Sequence, residues 1–137
     1  MLLPKTEYVS DQGKAEKKYY IFLHHTAGWN NPYAVIKDWA TDTRGRVGTH
    51  YVIGGINLKN DDDQYDGKIV QCIPDDYFAF HLGSTSTDKI NAYMHKHSIG
   101  IEICNFGGLT KQGNNYLTYT GQIVNPKYVE DLGYNFR

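Results

Sequence analysis

"YYIFLHHTAG" (19–28) is the stretch whose reading decides the fold. Its first five residues are a continuous aromatic and aliphatic run of strand length, the pattern of a central strand buried on both faces. The run ends in two adjacent histidines, His24 and His25, followed by the loop residues Thr26, Ala27 and Gly28. Neighbouring residues on a regular strand point to opposite faces, so the two imidazoles cannot both serve one site. One of them at most is expected to be a metal ligand, and the other to hydrogen-bond locally.

Working outward, residues 1–17 read as a polar leader. After the histidine loop, Asn31-Pro32 supplies an N-cap and a proline at the first helical position. The helix it opens, "PYAVIKDWATD", gathers Val35, Ile36, Trp39 and Ala40 on one side, as a helix packed on a sheet requires. "THYVIGGINL" (49–58) is a second strand, in which Gly54-Gly55 signals a bulge or a close backbone approach. Asp66-Gly67 marks a hairpin turn. "SIGIEICN" (98–105) is a further buried strand, "LTKQGNNYLTYTGQIV" a glycine-turned hairpin, and Asn125-Pro126 the start of a short helical turn. Strands mixed with one clear helix predict an α/β fold, a central mixed sheet flanked by helices. Such sheets are covered on both faces. No closing helix is read at the C-terminus, so one face is expected to stay apolar and open, with a tendency to pair with another chain.

Composition narrows the function. The 137 residues suit one domain, and a formal net charge of -1 leaves no electrostatic footprint for nucleic acid. The basic cluster Lys14–Lys17–Lys18 is balanced by Asp11 and Glu16 and reads as a solvated face. Twelve tyrosines suit both sugar-stacking surfaces and strand interiors and decide nothing alone. Cys72 and Cys104 read as buried thiols, because two cysteines in a chain of this size make no disulfide framework. No segment approaches the ~20 apolar residues of a membrane span. The N-terminus lacks the basic start and apolar core of a Sec signal. Synthesis in the cytoplasm is therefore expected, with export by some other route.

Among the six histidines, His50 reads as a hydrogen-bonded core imidazole. His81, in "FAFHLGS", suits a cleft wall. His95 and His97 alternate in a way that could bind metal on a strand edge, but Lys96 between them favours an exposed polar loop. The triple aspartate 61–63 resembles part of a calcium loop, which fails because Cys72 stands where the bidentate glutamate must be. Glu102 is the sharpest anomaly, a carboxylate inside "IGIEIC". It must either pair with an arginine or lysine, or carry a pKa raised by desolvation, as a general base near neutral pH requires.

Four motifs in order, "IFLHHTAG", "HYVIGG" with "DGKIVQ" after it, "FHLG" and "HSIGIEICN", give the chain a specific likeness. It resembles the zinc-dependent N-acetylmuramoyl-L-alanine amidases of the type 2 family, which also contains the peptidoglycan recognition proteins. The resemblance covers about two thirds of the chain directly, and it makes 18–137 an amidase-like domain holding the N-terminal two thirds or so of the family domain. It implies cleavage of the amide between the lactyl group of N-acetylmuramic acid and the L-alanine of the stem peptide. It also implies one zinc ion, which holds the attacking water and polarises the carbonyl. His24 corresponds to the first zinc ligand and His25 to a position that is not a ligand. Glu102 corresponds to the glutamate that activates the water. His81 would line the substrate groove, with Trp29, Tyr33 and Thr49 along the same wall.

Two departures qualify that picture. Thr49 occupies the position where other branches carry a catalytic tyrosine, so Glu102 must act instead. The family's second zinc histidine, its third ligand and an oxyanion-supporting group lie in a region that follows a long helix, and this sequence ends before them. A catalytic zinc normally takes three protein ligands. The 137-residue chain is therefore expected to be metal-poor or inactive by itself, and its last residue, Arg137, suits a tryptic fragment. The implied setting is a phage or bacterial lysin acting on the bacterial cell wall, with peptidoglycan as partner and no nucleic acid or membrane. The competing expectations are a peptidoglycan-binding module without catalysis and a structural piece such as a phage tail component.

Overall fold

A computed structural model describes residues 2–3, 12–28, 30–43, 47–57, 60, 62–83 and 89–133 of the chain. Trp29 and Arg137 lie outside the described residues. Five strands, β1 (Leu2–Leu3), β2 (Tyr20–His25), β3 (Tyr51–Ile53), β4 (Ile69–Gln71) and β5 (Ser98–Ile103), form a mixed sheet in the order β1-β4-β3-β5-β2. Only β3 and β4 run antiparallel, joined through the turn at Asp66-Gly67, where Gly67 takes φ 63°. That left-handed conformation costs glycine nothing. Strands β2 and β3 both lie parallel to β5, one on each side of it. A second, antiparallel sheet follows, made of β6 (Thr110–Gln112), β7 (Asn115–Leu117) and β8 (Ile123–Val124). The chain then makes a 3-10 turn at Pro126–Tyr128, capped by Asn125.

Helix α1 (Pro32–Thr41) starts where Asn31 and Pro32 predict, the Asn31 side chain accepting from the Tyr33 and Ala34 N–H groups. It buries Val35 and Ile36 against Val52, Val70, Cys72, Ile73, Ala79 and Cys104, which form the core. Helix α2 (Lys89–Lys96) corrects the loop expected there. It brings His95 to 1% exposure and leaves His97 at 7%, so neither is the exposed loop histidine the sequence suggested. No strand edge holds them together either: His97 Nδ1 lies 2.8 Å from the Lys17 carbonyl oxygen, while His95 Nδ1 accepts from the His81 N–H.

The face bearing Phe22, His24, Gly100, Glu102, Val52 and Val70 follows from the strand registers; it carries α1, and α2 meets it through the contact of His95 with His81. Strand β2 is not central, as its apolar run implied, but an edge, and on its other face Ile21 and Leu23 are 68% and 67% exposed. Lys18 also departs from its solvated reading, since its Nζ is half-buried and donates to the Tyr77 and Ser98 carbonyls. Lys14 does sit in solvent, paired at 2.6 Å with Asp76. Both cysteines are buried and free.

Gly54 and Gly55 mark a close approach rather than a bulge. A Cβ on Gly55 would lie 2.2 Å from the Cys104 carbonyl oxygen, and one on Gly54 would lie 2.2 Å from that of Tyr65. Neither obstacle is a side chain that can rotate away. Gly55→Ala must therefore move backbone at the ends of β3 and β5, and is expected to cost at least about 3 kcal/mol. A urea midpoint unchanged from the parent would refute this.

Candidate active site

The site grows from the register of two parallel strands. His24 pairs with Glu102, and Glu102 pairs on its other side with Val52. Adjacent strands run about 4.8 Å apart, and in-register residues share a face. His24 and Glu102 therefore project side by side near the C-terminal ends of β2 and β5. His25 points the other way and is exposed, its ring close to Gly107, where a Cβ would come within 2.5 Å of it. The doublet divides as strand geometry requires.

Glu102 is partly buried, and no described residue forms a hydrogen bond or ion pair with its carboxyl group. The salt bridge that would have explained a charge in this strand is absent among the described residues. Burial alone pushes its pKa up to about 7. The thiol of Cys104 is pushed up to about 12, mainly by burial and further by the Glu102 carboxylate.

His24 is half-buried, and burial followed by the neighbouring His25 lowers its pKa. Its Nε2 lies 2.9 Å from His81 Nδ1, and His81 Nε2 lies 2.9 Å from the Ser98 hydroxyl. Both ring nitrogens of His81 are thus engaged inside the protein. Burial, then the rings of His24, His95 and His50, push the His81 pKa down to about 3. Gly100 makes room for this ring, because a Cβ there would stand 2.7 Å from His81 Cγ.

His50 is fully buried and satisfied, as the sequence suggested. Its Nδ1 accepts from the Gly100 N–H at 3.0 Å, so its Nε2 carries the proton and donates to the Tyr77 carbonyl at 3.0 Å. Burial takes its pKa down to about 4. His95 Nε2 is buried without a hydrogen-bond partner among the described residues.

Of the remaining expected residues, Trp29 lies outside the described residues, and Thr49 and Tyr33 engage other partners. Thr49 is 2% exposed and spends its hydroxyl on the Tyr51 carbonyl at 2.8 Å. Tyr33 packs its ring against Tyr65, with centroids 6.1 Å apart, at the start of α1. Ser98 and Gly100 were missed by sequence reasoning. A glycine in mid-strand was the available signal for Gly100, whereas nothing in the sequence distinguished Ser98.

His24 leaves Nδ1 with no hydrogen bond to any described residue and fits one zinc position. However, no group of three His, Cys, Asp or Glu side chains that could hold a metal ion occurs among the described residues. The described residues therefore do not make up a catalytic zinc site by themselves. A cavity of about 400 Å³ opens beyond the ends of β3 and β5, walled by Ile53, Ile103, Phe106, Leu109 and Val124, and neither His24 nor Glu102 lines it. Among the described residues no helix is long and apolar enough to cross a membrane.

Comparison with known proteins adds three findings. The family described as N-acetylmuramoyl-L-alanine amidase matches residues 15–129. No match is found among curated proteins. Among solved structures, the chain is similar to the N-acetylmuramyl-L-alanine amidase AmiD from E. coli, solved in complex with the substrate anhydro-N-acetylmuramic acid-L-Ala-D-gamma-Glu-L-Lys. That similarity has a TM-score of 0.43 and 22% identity over 80% of this chain, which spans 38% of the AmiD chain.

Proposed function

Because the chain belongs to the N-acetylmuramoyl-L-alanine amidase family, we propose that its site hydrolyses the amide between N-acetylmuramic acid and the L-alanine of a peptidoglycan stem peptide. The observation that carries this reading is Glu102, a carboxyl without a partner among the described residues, poised near neutral pH and in register beside His24. In its charged form Glu102 takes a proton from water as the water oxygen bonds to the amide carbon. When the C–N bond breaks, it returns that proton to the departing α-amino group of alanine. A pKa near the working pH serves both transfers.

Zinc belongs to the same proposal. His24 Nδ1 would be one ligand, with the others supplied from outside the described residues, and a bound zinc would contribute Lewis-acid polarisation of the carbonyl. The place of action would be the bacterial cell wall, in a lysin of phage or bacterial origin.

The test is zinc content by elemental analysis together with hydrolysis of a purified muropeptide, on this chain and on any longer form its gene encodes. Zinc and cleavage that both disappear in His24→Ala support the proposal. Neither zinc nor cleavage in any form, with peptidoglycan still retained on a pull-down, would replace it with a non-catalytic binding module.

A further inference from the structure

The hydrogen bonds behind His24 form a chain whose direction can be read from one end to the other. It starts in the last turn of α2 at the Met94 carbonyl, which can only accept. The Ser98 hydroxyl, 2.6 Å away, must donate to it and thereby spends its one proton. At its 2.9 Å contact with His81 Nε2, the Ser98 oxygen is therefore the acceptor and His81 carries Nε2–H. An imidazole above pH 7 is neutral even at its ordinary pKa, so His81 Nδ1 is a bare lone pair. His24 Nε2, 2.9 Å from it, must then carry a proton and donate it. What remains on His24 is the lone pair of Nδ1, the ring nitrogen to which no described residue bonds.

From this polarity the structure assigns His81, anchored by Ser98 and the Met94 carbonyl, as the positioning residue that fixes the tautomer and ring orientation of His24 and leaves its Nδ1 lone pair for the site. The surroundings hold His81 in that role. Its own N–H is fixed on His95 Nδ1 at 3.3 Å. Rings of Phe22, His24, His50 and His95 surround it, with centroids 5.2 to 6.3 Å away. Donation through Nε2 raises the electron density at the opposite nitrogen, as partners behind a ligating histidine do. Its catalytic meaning rests on the amidase reading, but the hydrogen-bond polarity does not.

The experiment is nitrogen-15 NMR on the metal-free chain above pH 7, reading scalar coupling across the N–H···N bond. A cross-peak from the His24 Nε2–H proton to His81 Nδ1 is expected, with His50, fixed separately by Gly100 and Tyr77, as internal reference. In Ser98→Ala the acceptor behind His81 is gone, and the cross-peak is expected to be lost while the His50 pattern stays. A proton found on His81 Nδ1 and pointing to His24, or a cross-peak that survives Ser98→Ala unchanged, overturns the assignment. Muropeptide hydrolysis measured on the same samples separates the two claims. Coupling as expected without hydrolysis in any form removes the amidase reading alone, and hydrolysis with reversed coupling removes the relay alone.

Discussion

Glu102→Gln is expected to fold and to lower muropeptide hydrolysis, in whichever form of the protein cleaves, by about a thousandfold. That is the usual scale for deleting a general base whose water and substrate remain in place. The substitution keeps the shape of the side chain and removes the ability to hold and return a proton. In the parent, hydrolysis should rise with pH through about 7 as the carboxylate forms. In the variant that limb should vanish.

Stability should move the opposite way. The folded-state pKa of Glu102 is raised from 4.5 to about 7, so across that window the folded chain keeps a proton that the unfolded chain has released. Stability therefore falls as pH rises through the window. The glutamine variant escapes this loss and should be more stable at pH 8 by about 1–2 kcal/mol, once the part of the carboxyl that water screens is discounted. Urea midpoints at pH 5 and pH 8 measure the difference, and a variant no more stable than the parent at pH 8 would mean that Glu102 is not desolvated.

The second large effect is acid destabilisation centred on His50. Its folded pKa is depressed to about 4 by burial. Between about 6.5 and 4 the unfolded chain therefore binds a proton that the folded chain refuses, and stability is lost as pH falls through that range. The structural reason is that Nδ1 accepts from the Gly100 N–H, so a proton there would set two N–H groups against each other. This one site should cost on the order of 3 kcal/mol by pH 4. His81, pushed down to about 3, adds in the same sense. Glu102 opposes them between about 4.5 and 7, so the acid limb should be steeper in Glu102→Gln than in the parent. Thermal melts at pH 7, 6, 5 and 4 show it, and a flat profile across that range would contradict the burial of these rings.

What the sequence revealed follows from which forces are local. Asn31-Pro32 and Asp66-Gly67 act within a few residues, and the helix start and hairpin turn appear where those pairs place them. The His24–His25 split follows from strand alternation, and the exposure of Glu102 as an anomaly follows from its apolar neighbours. Helix α2 was hidden because "KINAYMHK" mixes charged and histidine residues without a legible cap, and its buried His95 looks polar on paper. The edge position of β2 was hidden for another reason. Strand order is decided by pairing between distant segments, and an apolar run does not say which of its faces will be covered. Ser98 was illegible because its importance lies in the direction of one hydroxyl proton, which only the position of Met94 fixes.

The register of β2 against β5 has a consequence for how the site comes into being. Tyr20 through His25 find their partners at Ser98 through Ile103, seventy-eight residues further along the chain. The β3–β4 pair, by contrast, is joined by the nearer segment 54–68. Loop-closure entropy delays a pairing of such sequence separation until most of the intervening chain has condensed, which makes it slow. His24 and Glu102 become neighbours only through that late step. A nascent or half-folded molecule thus holds both residues apart, and the pair proposed as the site is assembled only when these distant strands have closed.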